Sequence, residues 1–479
     1  MTSSSQQLLL CCLALTLTGC TGPASDTNDA DEPLPTKASH GAVGAGDPYY
    51  PAQGNGGYDV RGYDIDISYD PSRKHLKGDT TITATATQQL SRFNLDLRGF
   101  DVKSVFVNGD RSAFTRKREH ELVILPAKLV ENGEEFVTRV RYSGKPTSTD
   151  EDELATVGWL TTSSGGSYAL GEPHSASFWY PVNETPRDKA TFRLSARVPR
   201  GWVAVSIGKQ TSQRTEDGWT TYTWEDSNPA ASYVTTVAID KFTVERSRLD
   251  DGTPVLSAYA PGQEDKRQLD ARIDDVVKFL SSKFGPYPQD VAGGIYMSDS
   301  ISFALETQGR PTYASWANLD TVVHEYAHQW YGNSVTIESW SDMCLNECFA
   351  SYSEWLWAEA KQGTDLDKYY RDKVNELAGD DSFWDDKLHK MGAGHEFDGM
   401  YGKSKLAMHA LRRKIGDDVF DQVIREWPRE HRHSNASWPE FERFVSERAD
   451  VELGEFFDVW FRGDEIPPDK HLYPGPLRQ

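Results

Sequence analysis

The stretch His324-Glu325-Tyr326-Ala327-His328 is followed, after eighteen residues, by Glu347. Two histidines four apart on a helix project from one face, so both imidazoles can reach a single zinc ion. Glu325 stands where a carboxylate can hold and deprotonate a water molecule beside the metal. A catalytic zinc site needs a third protein ligand. Glu347 is the best candidate, because the pattern with a third histidine fails at Tyr331, where it requires Gly, and at Ser334, where it requires His.

An ordinary helix is the alternative explanation of the histidine pair. The motif is short, and similar pairs occur on helices that bind no metal. The flanking Val322-Val323 and Gln329-Trp330 also suit a half-buried helix of the core.

The composition limits the possible classes of protein. A chain of 479 residues predicts two or three domains. Only 38% of the residues are hydrophobic, but 14 Trp, 21 Tyr and 20 Phe can supply a core. The formal net charge of -22 argues against a nucleic-acid partner, because no basic surface dominates.

The N-terminus has the pattern of a targeting signal. Leu8 to Leu17 is an apolar run too short to span a bilayer as a helix. It ends in Leu17-Thr18-Gly19-Cys20, which resembles a bacterial lipoprotein signal, with residues 1–19 removed and Cys20 lipidated. A plain secretory signal or a disordered tail is the alternative.

Residues 20–57 are predicted to form a flexible tether. This stretch is rich in Gly, Ala, Asp, Pro and Ser and cannot bury enough apolar surface to fold. With a lipid on Cys20, the tether places the protein at the cell envelope, attached to the outer face of a bacterial membrane.

The five cysteines do not form a disulfide scaffold. Cys11, Cys12 and Cys20 belong to the signal, which leaves Cys344 and Cys348 on either side of Glu347. A helical pair four residues apart is near the upper limit of disulfide distance and is poorly oriented. We therefore expect two small buried side chains rather than a bond.

The two halves of the chain differ in hydrophobic period. Over residues 58–242, apolar and polar residues alternate, as in Tyr63 to Tyr69 and Thr81 to Ala86, and turn pairs such as Asn108-Gly109 separate the runs. This pattern predicts an all-β domain of antiparallel hairpins.

Residues 243–479 show mainly helical periods. Helices are predicted at Asp270 to Phe284, through the histidine motif, at Glu347 to Ala360, and at several positions after Tyr401. The later ones are Lys403 to Ile415, Asp417 to Glu426, Trp438 to Ala449 and Leu453 to Phe461. A small sheet is expected near Val255 to Ala260 and Gly294 to Met297.

Taken together, these motifs resemble the aminopeptidase N family of gluzincin zinc metallopeptidases. That family places Glu eighteen residues after H-E-x-x-H, within W-L-N-E-G-F-A, and this chain has Cys344-Leu345-Asn346-Glu347-Cys348-Phe349-Ala350. The resemblance covers roughly residues 58–468. It implies a multidomain α+β fold in which a saddle-like all-β domain precedes a thermolysin-like, mainly helical zinc peptidase domain. Residues 467–479 leave no room for the helical-repeat domain of longer members, so the implied cleft is more open.

Three further stretches carry the resemblance. Phe303-Ala304-Leu305-Glu306-Thr307 stands where the family has G-A-M-E-N, which implies that Glu306 binds the substrate's α-amine. Glu172 falls on the family's second amine-binding position, counted back from Pro186 to Phe192. Tyr401, in Met400-Tyr401-Gly402-Lys403-Ser404, resembles the tyrosine of Y-x-K-G, with the implied role of donating a hydrogen bond to the oxyanion.

The resemblance implies a zinc aminopeptidase that removes N-terminal residues from peptides. One zinc per chain would lie on His324, His328 and Glu347, with Glu325 as general base. An endopeptidase with an open cleft and a catalytically inactive, surface-anchored peptide-binding protein are the two alternatives.

Overall fold

The computed structural model describes residues 39–151, 155–298 and 301–478. The predicted signal peptide, Cys20 and residues 20–38 of the predicted tether lie outside these ranges. Within the described ranges, no helix combines the length and apolar composition needed to cross a membrane.

The described chain contains twenty-two strands and eleven α-helices. The strands are β1 Ser39–His40, β2 Tyr58–Asp70, β3 His75–Ala86, β4 Leu90–Asp96, β5 Asp101–Val107, β6 Asp110–Lys117, β7 Glu121–Leu125, β8 Glu135–Gly144, β9 Ser148–Glu151, β10 Ala155–Thr161, β11 Ser167–Leu170, β12 Ala190–Pro199, β13 Val203–Ser206, β14 Lys209–Glu216, β15 Trp219–Ala230, β16 Val237–Asp240, β17 Thr243–Arg248, β18 Pro254–Tyr259, β19 Ile295–Tyr296, β20 Thr312–Tyr313, β21 Val335–Ile337 and β22 Ser434–Ala436. The helices are α1 Arg267–Asp270, α2 Ile273–Phe284, α3 Leu319–Ala327, α4 Cys344–Trp357, α5 Leu366–Leu377, α6 Asp381–Asp385, α7 Lys403–Ile415, α8 Asp417–Glu430, α9 Trp438–Ala449, α10 Gly454–Phe457 and α11 Asp469–Leu472.

The N-terminal half is built of β-sheet, as its alternation predicts. Its large sheet has eleven strands in the order β1-β4-β7-β6-β5-β8-β3-β2-β12-β15-β14, and a second sheet has the order β13-β16-β11-β10-β9. Ile65 and Ile67 on β2 and Ile82 on β3 are buried, while the residues between them are more exposed. The period-two pattern therefore places the apolar side chains on one face of the sheet, where they form the core.

The C-terminal half is mainly helical around a four-stranded sheet of order β17-β18-β19-β20. The predicted strands near Val255 and Gly294 are confirmed as β18 and β19. The predicted helices at Lys403 to Ile415 and Trp438 to Ala449 coincide with α7 and α9. The fold is thus the α+β arrangement expected from the sequence, with a β-rich part followed by a helical part.

Helices α5 and α6 are absent from the sequence prediction. Helix α5 is strongly polar, and only Leu366, Tyr370 and Val374 are buried along it. These residues recur every four positions and form a single narrow stripe. Such a sparse apolar pattern does not distinguish a surface helix from a polar loop.

The tether prediction is wrong for residues 39–57. Strand β1 pairs in parallel with β4, and Gly41 packs so closely that a Cβ there would lie 2.6 Å from the Gly56 carbonyl oxygen. The buried Asp47 accepts a hydrogen bond from the Trp340 backbone N–H at 2.9 Å. The segment folds because its backbone groups and small residues find partners, although it carries few apolar side chains.

Candidate active site

Helix α3 presents the two histidines of the motif to one cavity. Its N-terminus is fixed by a capping box, in which the Asn318 side chain accepts from the Thr321 N–H at 3.1 Å and Thr321 Oγ1 accepts from the Asn318 N–H. His324 lies in the last turn, and His328 caps the C-terminus. The ring centroids of His324 and His328 are 4.8 Å apart, as the spacing of four residues requires.

Glu347 comes from the first turn of α4 and completes the histidine pair. Its Oε2 lies 3.1 Å from His324 Nε2, and its Oε1 lies 3.5 Å from His328 Nε2. All three side chains are buried, and their candidate ligand atoms lie within 4.8 Å of one another. Two imidazole nitrogens and one carboxylate are a donor set that zinc prefers. His324, His328 and Glu347 can therefore hold a zinc ion together.

Hydrogen bonds at the far ring nitrogens orient both imidazoles. His324 Nδ1 donates to Glu354 Oε1 at 3.1 Å, and His328 Nδ1 donates to the Tyr331 carbonyl at 3.0 Å. These bonds leave the Nε2 lone pairs directed at the metal position. Lys405 Nζ donates to Glu354 Oε2 at 2.6 Å. Burial alone would raise the pKa of Glu354, but hydrogen bonding to His324 and the charge of Lys405 hold it below the ordinary value.

The sequence prediction did not include Glu354. Glu354 lies seven residues after Glu347, which is two turns of α4, so the two carboxylates share a helix face. This spacing of seven residues is the sequence pattern from which Glu354 could have been predicted. Lys405, on α7, reaches Glu354 through tertiary packing, so no local sequence pattern predicts this contact.

The structure contradicts the expectation that Cys344 and Cys348 are unpaired. Their sulfurs form a disulfide, with the two Cα atoms 4.7 Å apart. Cys344 is the first residue of α4, and the Cα separation falls inside the range that disulfides use. The bond spans the turn that carries Glu347 and cross-links it at both ends.

Glu325 faces the cavity beside the three candidate ligands. It is buried, and burial raises its pKa well above the ordinary value, although the charge of His324 opposes the shift. A raised pKa suits a carboxylate that accepts and returns a proton near neutral pH. The cavity has a volume of about 610 Å³ and is also lined by Trp316, Asp320 and Phe397.

Glu172 and Glu306 lie together at one end of this cavity. Both are buried, and each has an Oε1 atom without a hydrogen-bond partner. Burial and their mutual repulsion raise the pKa of Glu172 well above normal, and burial likewise raises the pKa of Glu306. Candidate ligand atoms of Glu306, Glu325 and His328 lie within 4.8 Å of one another, so this end adjoins the metal position. The two carboxylates are suited to an incoming cation.

Tyr233 is a second residue that the sequence prediction did not include. It follows β15 in the β-rich part, is buried, and hydrogen-bonds to Glu306. Its hydroxyl also accepts from Asn346 Nδ2, the residue before Glu347, at 3.2 Å. Tyr233 thus links the carboxylate end to the ligand helix, a contact between residues more than a hundred positions apart that no local pattern encodes.

Tyr401 lies at the rim of the cavity. Its ring centroid is 5.8 Å from that of His324, and the residue is 54% exposed. Every sequence-predicted site residue within the described ranges therefore lines this one cavity.

Comparisons with known proteins agree with this geometry. Residues 60–234 match the Peptidase M1 N-terminal domain, and residues 293–460 match the Peptidase family M1 domain. The crystal structure of an M1 zinc metallopeptidase from Deinococcus radiodurans superposes with a TM-score of 0.82 and 30% identity, over 89% of this chain and 98% of that chain. A mutant of it bound to a Tyr-Ser-Ala substrate aligns with a TM-score of 0.79 and 30% identity, over 89% of this chain and 99% of that chain. The present chain belongs to peptidase family M1.

Curated relatives are more distant and longer. Aminopeptidase N of Lactococcus lactis subsp. lactis is 26% identical over 61% of this chain and 38% of its own length. Glutamyl aminopeptidase of Mus musculus is 25% identical over 60% of this chain and 33% of its own length. The chain therefore spans about a third of the length of these relatives.

Proposed function

We propose that this protein is a zinc aminopeptidase that hydrolyses the N-terminal peptide bond of peptides. The observation that carries the proposal is the pair Glu172 and Glu306, two buried carboxylates with unpartnered oxygens beside a His-His-Glu set. An ammonium group is the substrate feature that this pair fits, because charge-assisted hydrogen bonds would satisfy both carboxylates. Because these two carboxylates lie at one end of the cavity, they favour cleavage next to a free N-terminus.

The proposed mechanism assigns one role to each side chain. Zinc, when bound by His324, His328 and Glu347, supplies a Lewis acid and lowers the pKa of water. Glu172 and Glu306 hold the substrate amine and so position the scissile carbonyl. Glu325 takes a proton from the attacking water and returns it to the leaving amine. Tyr401 donates a hydrogen bond to the developing oxyanion.

Replacing His328 with Ala should remove zinc and activity together. The change deletes one of the three candidate ligands and leaves only His324 and Glu347 to hold the metal. Metal analysis of purified wild type and variant, alongside hydrolysis of an aminoacyl anilide, measures both effects. His433→Ala is the matched control, because His433 is half-buried and does not line the cavity. An active wild-type protein that holds no zinc at the active site would contradict the assignment.

We also propose that the protein is a lipoprotein of the cell envelope with Cys20 as its mature N-terminus. The support is the sequence Leu17-Thr18-Gly19-Cys20 after an apolar run. Mass spectrometry of the native protein should detect a diacylglyceryl adduct on Cys20, and Cys20→Ser should abolish it. Cleavage at another residue, with free protein in the medium, would reject this proposal.

A further inference from the structure

A second group of metal-ligand residues lies buried in the β-rich part. His120 Nε2 is 3.8 Å from Asp96 Oδ1 and 3.9 Å from Glu121 Oε1. Candidate ligand atoms of the three residues lie within 4.8 Å of one another, and each residue is at most 7% exposed. None of the three lines the active-site cavity.

The two carboxylates of this group face each other, and of their four oxygens only Asp96 Oδ2 accepts hydrogen bonds, from Asn55 Nδ2 and from the Glu184 N–H at 3.0 Å. Asp96 on β4 and Glu121 on β7 are directly opposite in the antiparallel register, where like charges destabilise a sheet. Asp96 Oδ1 and both oxygens of Glu121 are buried and have no hydrogen-bond partner. A carboxylate in this situation needs a proton or a cation, because an unpaired buried charge is costly.

The other side of the group is supplied by the N-terminal segment, residues 39–57. The Ala52 carbonyl oxygen lies 2.9 Å from His120 Nε2, and Asn55 Nδ2 donates to Asp96 Oδ2 at 3.2 Å. Three side-chain ligand atoms therefore lie close together, and the Ala52 carbonyl oxygen lies beside one of them, His120 Nε2. This number of donors matches a four-coordinate ion.

We propose that Asp96, His120 and Glu121, with the Ala52 carbonyl, bind a second divalent transition-metal ion, for which Zn²⁺ is the probe. An imidazole nitrogen among oxygen donors favours a transition metal over Ca²⁺ or Mg²⁺, which prefer oxygen ligands alone. The metal neutralises the facing carboxylates of β4 and β7. It also fixes the N-terminal segment to the β-sheet, because one ligand comes from that segment.

The two unpartnered oxygens of the buried Glu121 carboxylate are the observation that supports the need for a proton or a cation. A proton shared by the carboxylates, with no metal, is the competing arrangement that the experiment must reject.

The test is the zinc content per chain of the full-length protein after equilibration with Zn²⁺ and removal of loosely bound metal. We expect two zinc ions in the wild type, one in His328→Ala, one in Glu121→Gln and none in the double variant. The control Glu119→Gln, an exposed acid two residues away, should keep two. Zn²⁺ should also raise the Tm of His328→Ala but not that of the double variant, because ligands that bind the folded state stabilise it.

The measurement in His328→Ala keeps the proposal testable even if Glu121→Gln fails to fold, because the second site is intact in that variant. One zinc in the wild type and none in His328→Ala would overturn the second site and leave the proposed function standing. One zinc in both proteins, lost on Glu121→Gln, would support the second site and count against the active-site zinc. The two proposals can therefore fail separately.

Discussion

Glu325→Gln is expected to keep zinc and to lose most of its turnover. The amide has nearly the shape of the carboxylate, and Glu325 is not one of the three proposed ligands, so metal content should stay at the wild-type value. The amide cannot accept the proton of the attacking water. Loss of a general base lowers the rate by about 100-fold or more. Zinc content and kcat on an aminoacyl anilide, measured on the same preparation, give both quantities.

Glu376→Gln is the matched control for this experiment. Glu376 is an exposed acid on α5 whose ion pair with Lys373 is at the surface. The same change of charge there should leave kcat at the wild-type value. Near-normal turnover by a zinc-loaded Glu325→Gln protein would exclude the role of Glu325 as the base.

A peptide with an acetylated N-terminus should be cleaved far more slowly than the same peptide with a free amine. Acetylation removes the charge that Glu172 and Glu306 would bind and leaves two buried carboxylates unpaired. Removing one partner of a buried charge pair costs roughly 2–5 kcal/mol. Since 1.4 kcal/mol corresponds to a factor of ten, the ratio of kcat/KM should be about 30 or more. Product analysis of the paired peptides by mass spectrometry measures this ratio and identifies the bond that is cut.

Variants of the two carboxylates should reduce that preference. We expect Glu306→Gln and Glu172→Gln each to lower kcat/KM for the free peptide more than for the blocked one. Asp320→Asn removes an acid that lines the same cavity but is not part of the carboxylate pair, so it should leave the ratio unchanged. Equal rates for both peptides, or internal cleavage of the blocked one, would favour an endopeptidase instead.

The sequence was sufficient to locate the candidate zinc ligands because their spacing forms a recognisable motif. His324 and His328 need only one helical turn, and Glu347, on a separate helix, follows His328 after eighteen residues. The β-rich half was predictable because alternation acts within each strand. Helix α5 was missed because its three buried residues form too weak a periodic signal.

Other features depend on contacts that sequence patterns do not contain. Tyr233 and Lys405 reach the site from distant positions, and their partners are known only once the fold is known. The expectation that Cys344 and Cys348 are unpaired assumes the average geometry of a helix interior. The bond forms at the first turn of α4, where the Cα atoms are 4.7 Å apart. The composition of residues 39–57 suggested a free chain, whereas backbone hydrogen bonds hold the segment in place.

The N-terminal segment also restricts how the two halves of the molecule can move. Asn55 is bonded to Asp96 on the β-rich side, while Asp47 and Tyr49 are bonded to Trp340 and Gly392 on the helical side. A hinge rotation that opened the cleft would have to break these bonds, although relative motion is the usual behaviour of adjoining domains. These hydrogen bonds tie the segment to both halves of the molecule and therefore resist such a rotation.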